Sequence, residues 1–278
     1  MENLKMKRVN LLNALLLSFA LAASTGVVRA DDGGISFGGS PKLLKGHASV
    51  AMKDEVVTMD IHDELIKVDC KFTFHNAGDA STVRVGFPDE GQGAEEPYQG
   101  DDHRPTGKNL KATFLSYESW VDGKKVPTEL VPTNDRTLYW HAKTVNFKAK
   151  SDCLIRDLYT LPPGGQVTNE NGLYKQTSYV LHTGASWHGP IGRAEIIVNF
   201  DPKVLKGPIQ LKALSSLPGK SVYNLKWSTM PPGTVIYDGP CEPKVEGNTL
   251  RFACTNLRPA KKDDVRLYYG YRALTNNL

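Results

Sequence analysis

The feature that most constrains the fold is an alternation of apolar and polar residues, which recurs along most of the chain. Within residues 65–75, the apolar side chains of Val68, Cys70, Phe72 and Phe74 occupy every second position. Successive side chains of a β-strand point to opposite faces, so a period of two is typical of strands with one buried face. No long segment has the period of an amphipathic helix, and we therefore predict an all-β protein.

The same alternation predicts further strands, which are separated by clusters of proline and glycine such as Pro231-Pro-Gly233. These strands cover residues 49–52, 56–61, 83–87, 110–118, 137–147, 154–160, 176–182, 193–200, 209–214, 222–228, 234–237 and 265–271. Short strands with regular turns indicate an antiparallel β-sandwich of the immunoglobulin-like kind. We predict two packed sandwich units, residues 31–135 and 136–278, with one elaborated sandwich as the alternative.

The first 30 residues have the three parts of a secretory signal peptide. Lys5, Lys7 and Arg8 form a basic end, residues 14–23 form a short apolar run, and Val28-Arg-Ala30 fits the cleavage rule. The run is shorter than the ~20 apolar residues of a membrane-spanning helix. We therefore predict cleavage near Ala30, a secreted or periplasmic location, and no stable membrane insertion of the mature chain.

Removal of this leader changes the charge of the protein. The full chain has 34 basic and 30 acidic residues, and the leader holds four of the basic residues and one of the acidic ones. The mature chain therefore keeps 30 basic and 29 acidic residues, a formal charge of +1. Nucleic-acid binding depends on a dense basic surface, so a nearly neutral chain argues against nucleic acid as a partner.

Cys241 and Cys254 are predicted to form a disulfide, because the chain between them reads as a hairpin. Gly247-Asn248 is a two-residue turn signal, and it sets a register in which Cys241 lies opposite Cys254 in a non-hydrogen-bonded pair. Cα atoms in such pairs are about 4.5 Å apart, which a disulfide can bridge. Cys70 lies on the apolar side of its strand and is either a buried free thiol or a partner for Cys153.

Two stretches resemble a family of exported bacterial proteins, domain of unknown function 4424. The first is Tyr179-Val-Leu-His-Thr-Gly-Ala-Ser-Trp-His-Gly-Pro-Ile-Gly192, and the second is Val68-Asp-Cys-Lys-Phe-Thr-Phe-His-Asn76 followed by Val83-Arg-Val-Gly-Phe-Pro88. The resemblance implies export and an all-β fold. It carries no catalytic residue to this chain, and no motif after about residue 202 contributes to it.

The segment around Trp187 is the most unusual in composition, and it is the predicted ligand-binding site. Gly184 and Gly189 allow a ligand to approach the backbone closely, and Trp187 offers a surface on which a sugar ring can stack. His182 and His188 flank the tryptophan. The alternative is a purely structural loop whose tryptophan closes one end of the sandwich.

Metal and catalytic sites have weaker signals. The spacing of His182 and His188 matches no common metal-ligand pattern, and the acidic residues 89–102 do not follow the spacing of a calcium-binding loop. The sequence has no phosphate-binding loop of the Gly-x-x-x-x-Gly-Lys-Ser/Thr type. We therefore expect no cofactor, no metal and no catalytic residue.

Three functional hypotheses follow. The first is an exported, non-catalytic protein that binds an envelope protein or a glycan through the loops around Trp187. The second is a structural or accessory module of the cell envelope. The third is a metal-dependent hydrolase, with His141, His182, His188 and acids of residues 89–102 meeting only in the folded chain.

Overall fold

The structure is a computed structural model, and it describes residues 36–44, 49–91, 113–133, 138–223 and 225–274. The predicted signal peptide and its cleavage site lie outside these residues, as do most of the acidic residues 89–102. The described chain folds into one ten-stranded and one eight-stranded sheet. Among the described residues, no helix is both long and apolar enough to cross a membrane.

The strands of each sheet come from all parts of the chain. The ten-stranded sheet contains β1 (Ser36–Gly39), β2 (Lys42–Leu43), β5 (Ser81–Gly91), β8 (Glu129–Pro132), β9 (Leu138–Phe147), β11 (Gly164–Val167), β12 (Gly172–Val180), β14 (Gln210–Ala213), β15 (Thr234–Asp238) and β18 (Val265–Ala273). The eight-stranded sheet contains β3 (Val50–Ile61), β4 (Ile66–Asn76), β6 (Ser116–Val121), β7 (Lys124–Val126), β10 (Ser151–Leu161), β13 (Ile191–Phe200), β16 (Lys244–Glu246) and β17 (Thr249–Leu257). Short 3₁₀ helices cover His182–Ser186, Leu214–Ser216, Pro218–Lys220, Trp227–Thr229 and Lys261–Asp263.

The prediction of an all-β protein is confirmed, but both sheets are mixed rather than antiparallel. The parallel pairs are β1 with β12, β3 with β13, and β14 with β15. An immunoglobulin-like arrangement is not confirmed. Two separate sandwich units are not confirmed either, because both sheets combine strands from the two sides of residue 135.

The core lies between the two sheets and follows the period of two. In β4, the side chains of Val68, Cys70, Phe72 and Phe74 are at most 1% exposed, and the polar residues between them face the other way. They pack in one cluster with apolar residues of the ten-stranded sheet such as Phe87. Burial of these aromatic and aliphatic side chains is the main force that holds the two sheets together.

The hairpin β16–β17 has the predicted register. Glu246 lies opposite Thr249, Val245 opposite Leu250 and Lys244 opposite Arg251. Gly247, the first residue of the turn, has a φ of +61°, which favours glycine. The local turn signal therefore determined this part of the fold.

The predicted strand over residues 222–228 is wrong. Residues 214–233, which we call the strap, run over the outer face of the ten-stranded sheet with three 3₁₀ turns and pair with no strand before β15 begins at Thr234, as far as the chain is described. Val222 and Trp227 are buried in a second, smaller core with Tyr174 and Ile236. The apolar residues that suggested a strand therefore bury themselves against the sheet without joining it.

Candidate functional site

Trp187 is not available to stack on a ligand. Its side chain is 4% exposed, and the indole Nε1 donates a hydrogen bond to the carbonyl oxygen of Pro41 at 2.6 Å. The ring packs on Phe74, with centroids 4.3 Å apart, and on Phe147 at 6.2 Å. The predicted stacking role of Trp187 is therefore wrong, because the main core and the indole's own hydrogen bond occupy the ring.

The polar groups around Trp187 are used to fasten residues 181–190, which we call the Trp187 loop. Thr183 Oγ1 donates to the carbonyl oxygen of Ser40, and the backbone N–H of Leu43 donates to Ser186 Oγ at 2.9 Å. Gly184 is buried, and a Cβ there would lie 3.0 Å from Ile191 Cδ1. The glycine thus allows the loop to pack closely on its neighbours.

The two histidines of this loop do different things. The carboxylate of Asp264 accepts hydrogen bonds from the backbone N–H groups of Leu181 and His182, and it lies 2.9 Å from His182 Nδ1. His188 is exposed, and Gly189 beside it has a φ of +75° in an open turn. His182 therefore helps to hold the loop, while His188 and Gly189 lie at its surface.

His141 belongs to a separate buried group. Its Nε2 lies 3.0 Å from Asp89 Oδ2, and its ring stacks on Tyr117 at a centroid distance of 4.0 Å. Asp89, which is fully buried, also accepts a hydrogen bond from the backbone N–H of Thr113 at 3.1 Å. Among the described residues, no three His, Cys, Asp or Glu side chains are grouped to hold a metal.

A buried carboxyl group, Glu55, was not anticipated from the sequence. A β-bulge between Met52 and Asp54 shifts the alternation of β3, so Glu55 points into the core and is fully buried. Ser40 Oγ donates to Glu55 Oε1 at 2.6 Å and Tyr179 OH does so at 2.8 Å, while Oε2 has no partner. Burial raises the pKa of this carboxyl group to about 7, although the two hydrogen bonds oppose the shift.

A buried ion pair joins the two sheets. Lys143 of β9 and Asp157 of β10 form an ion pair in which both side chains are fully buried, and Lys143 Nζ also donates to Ser119 Oγ at 2.7 Å. Burial lowers the pKa of Lys143, and the nearby Asp157 carboxylate opposes that shift. Removal of one partner would leave the other charge unpaired in the core.

A cleft of about 430 Å³ lies beside the strap. It lies where the β3–β4 turn, the chain after β13, the strap and the last residues of β18 meet. Its lining residues are Asp63, Lys175, Lys203, Val204, Leu205, Lys206, Trp227, Ser228, Met230, Pro231, Pro232, Gly233, Thr234, Gly270, Tyr271 and Arg272. We call this concavity the basic cleft.

Positive charge dominates the basic cleft. Lys175, Lys203, Lys206 and Arg272 line it together with a single acidic residue, Asp63. Lys175, whose side chain is 13% exposed, is paired with Asp63, and this contact and the charge of Arg272 lower the pKa of Asp63. In the described part of the chain, no hydrogen bond or ion pair engages the side chains of Lys203, Lys206 and Arg272. Three cations are therefore available to a ligand.

An aromatic wall forms one side of the basic cleft. Trp227 stacks on Tyr174, with centroids 4.9 Å apart, and on Tyr271 at 6.0 Å. Glu170 accepts hydrogen bonds from the backbone N–H of Ser228 at 3.0 Å and from its Oγ at 3.1 Å. These contacts fix the strap at the rim of the cleft.

One glycine is required where the strap meets β15. Gly233 has a φ of +82°, and a Cβ there would lie 2.1 Å from the carbonyl oxygen of Pro208. A side chain at this position would therefore push the strap away from the chain that follows β13. The close approach of these two segments shapes the cleft.

Solved structures with this fold exist. A Legionella pneumophila protein, provisionally described as a nutrient binding protein, matches with a TM-score of 0.58 and 15% identity, over 85% of this chain and 72% of its own. At that identity the match shows the fold alone. No protein-family model and no curated protein matches the chain, so the resemblance to domain of unknown function 4424 stays a prediction.

The structures of two enzymes, a hydrolase and a zinc metallopeptidase, also align with this chain. Yeast LTA4 hydrolase has a TM-score of 0.42 and 10% identity, and it covers 81% of this chain and 29% of its own. An M1 zinc metallopeptidase from Deinococcus radiodurans has a TM-score of 0.32 and 8% identity, over 81% of this chain and 43% of its own. With TM-scores this low, neither match bears on the activity of this chain.

Proposed function

We propose that this chain is a non-catalytic binding protein that acts after export and holds a small organic anion in the basic cleft. The observation that carries the proposal is the lining of one concavity by four cationic side chains and one carboxylate. Its volume of about 430 Å³ lies within the range of ~300–1,000 Å³ that is usual for small-molecule sites. The description of the Legionella protein as a nutrient binding protein agrees with a binding role.

The chemistry of the lining indicates the class of ligand. A concave site lined by one sign of charge concentrates the electric field, so it raises the local concentration of the opposite ion. The guanidinium of Arg272 has the geometry for two parallel hydrogen bonds to a carboxylate or a phosphate. Met230 and Pro231 offer apolar surface beside these charges. A ligand with one anionic group and a compact apolar body satisfies both halves of the site.

Export and an envelope partner complete the proposal. The leader in residues 1–30 supports work outside the cytoplasm. An envelope protein that supplies or receives the ligand is the partner we propose. The ligand does not stack on Trp187, because the indole is buried.

Isothermal titration calorimetry tests the proposal with five probes: inorganic phosphate, succinate, benzoate, phenyl phosphate and neutral benzamide. We expect at least one anion to bind, benzamide not to bind, and the affinity to fall with added salt because the contacts are charged. Arg272→Ala and Lys206→Ala should each raise the Kd about tenfold, since hydrogen bonds to charged groups contribute ~1.5–3 kcal/mol.

Lys148→Ala is the matched control. Lys148 is an exposed lysine in the β9–β10 turn, outside the basic cleft, and its removal changes the net charge by the same amount. An equal loss of affinity in Lys148→Ala would reduce the cleft to a non-specific charge effect and overturn the proposal. Failure of all four anions to bind at millimolar concentration would also overturn it and would favour the structural-module hypothesis.

A further inference from the structure

Cys241 and Cys254 lie where the chain passes from one sheet to the other. β15 of the ten-stranded sheet ends at Asp238, and β16 of the eight-stranded sheet begins at Lys244. Cys241 is within this crossing, and Cys254 is within β17. A bond between the two cysteines would therefore fasten the crossing to the eight-stranded sheet.

The geometry of the pair suits such a bond. The Sγ atoms lie 2.9 Å apart, so a movement of less than about 1 Å brings them to the ~2.05 Å of a disulfide. Extension of the register of β16 and β17 by three positions places Cys241 opposite Cys254 in a non-hydrogen-bonded pair. Both side chains are partly exposed, so an external oxidant can reach them.

The other two cysteines do not have this geometry. Cys70 lies opposite Asp157 and Cys153 lies opposite Phe74 on neighbouring strands, so the two are offset by four residues, or about 13 Å along the strand. Both are buried, and burial raises the pKa of each thiol. The alternative of a Cys70–Cys153 bridge is therefore wrong for this fold, and the sequence leaves one pair to oxidise.

We propose that Cys241 and Cys254 form a structural disulfide that locks the crossing between the two sheets. The oxidant is the disulfide of a dithiol oxidoreductase or of a small thiol compound. One cysteine thiolate attacks a sulfur of that disulfide, and the second thiolate then displaces the reduced thiol. Two protons and two electrons leave the cysteine pair, one S–S bond forms in this chain, and one S–S bond of the oxidant breaks.

The reduced pair is suited to a structural role and not to a catalytic one. Burial and the neighbouring Cys241 raise the pKa of the Cys254 thiol to about 12, so the thiolate form is scarce near neutral pH. Reactive cysteines of redox enzymes have lowered pKa values instead. Once formed, the disulfide is therefore expected to persist.

Peptide mapping tests the bond directly. The purified full chain is reduced, treated with oxidised glutathione, alkylated under denaturing conditions and digested with trypsin. Lys244 and Arg251 lie between the two cysteines, so digestion separates Cys241 from Cys254 unless a disulfide joins their peptides. We expect the linked peptides, with Cys70 and Cys153 alkylated. Glutathione adducts without the link, or a Cys70–Cys153 link, would overturn the proposal.

Thermal unfolding supplies a second readout with its own control. A disulfide that closes a loop of about 15 residues is expected to raise the Tm of a chain this long by roughly 5–10 °C. Oxidation should therefore raise the Tm of the wild type and of Cys153→Ala, and it should leave the Tm of Cys241→Ser unchanged. An equal rise in Cys241→Ser would contradict the assignment, because that variant cannot form the bond.

Discussion

The Trp187 loop and the strap each bury a tryptophan, yet they differ in what surrounds it. Trp187 is 4% exposed and is enclosed by the core between the sheets, while Trp227 is 1% exposed and forms part of the wall of a cleft. The polar neighbours of Trp187 bind one another and the backbone. The cationic neighbours of Trp227 are turned to a concavity, and three of them are unpaired among the described residues.

An unusual loop composition therefore does not identify a binding site. Glycine, histidine and tryptophan in the Trp187 loop suggested a ligand, but Gly184, His182 and Trp187 each serve close packing or a hydrogen bond inside the protein. The strap is less unusual in sequence and leaves charged groups without partners beside it. A site is therefore better recognised by unsatisfied groups around a concavity than by rare residues in one segment.

Trp187→Ala tests the structural side of this comparison and should have the largest effect. The substitution removes a buried aromatic ring and leaves the carbonyl oxygen of Pro41 without its donor, so we expect a loss of about 3–5 kcal/mol in the free energy of unfolding. Urea denaturation measures this loss. Trp187→Phe should lose less because most of the ring contacts remain.

The ligand provides the control for that variant. Under conditions where Trp187→Ala is still folded, we expect its affinity for the cleft ligand to equal that of the wild type. A loss of affinity without a loss of stability would restore the Trp187 loop as a binding site.

Glu55 should make the stability of the folded chain depend on pH. Its pKa is raised from 4.5 to about 7 in the folded chain, so between these values the folded state holds a proton that the unfolded state has lost. Its contribution to stability is therefore greatest below about pH 4.5, and it decreases as the pH rises to about 7. The shift corresponds to about 3 kcal/mol.

Denaturation at a series of pH values measures this contribution as a difference between the wild type and Glu55→Gln. The glutamine cannot ionise, so the wild type should lose stability relative to the variant as the pH rises from about 4.5 to 7. The hydrogen bonds from Ser40 and Tyr179 have an oxygen acceptor in both proteins. A constant difference across this range would show that folding does not raise the pKa of Glu55.

The sequence predicted what depends on neighbouring residues. The period of two in β4 and the turn signal of the β16–β17 hairpin are local, and both are confirmed. The parallel pairing of β3 with β13 joins residues such as Val57 and Ile196, which are far apart in the chain and carry no signal for each other. Mixed sheets were therefore missed.

The candidate site was missed for the same reason. Asp63, Lys175, Lys206 and Arg272 come from four separated segments, and only the folded chain brings them to one cleft. Glu55 was missed because a bulge inverts the alternation of its strand, and the only local signal is the polar run Lys53-Asp-Glu55. Local patterns predict strands and turns, whereas clefts depend on contacts between distant segments.

Glu170→Gln addresses the strap and should have the smallest effect of these changes. Glu170 holds the strap by accepting two hydrogen bonds from Ser228, and it does not line the basic cleft. Glutamine weakens these charge-assisted bonds, so we expect amide exchange of residues 228–230 to become about 3- to 10-fold faster. Hydrogen-exchange mass spectrometry measures it, and the Tm should stay within about 1–2 °C of the wild type.

The matched control is Glu129→Gln, which removes an exposed carboxylate that pairs with Arg84. Glu129 is in β8, at the opposite edge of the ten-stranded sheet from β14. Exchange of residues 228–230 should be unaffected by it. Exchange in the Trp187 loop should be slow and equal in all three proteins, because its amides and side chains are fastened to the core through Ser40, Pro41 and Asp264. Equal exchange rates of the strap and the Trp187 loop in the wild type would show that the two segments are held equally firmly, and that the contacts of Glu170 fasten the strap as well as the core fastens the Trp187 loop.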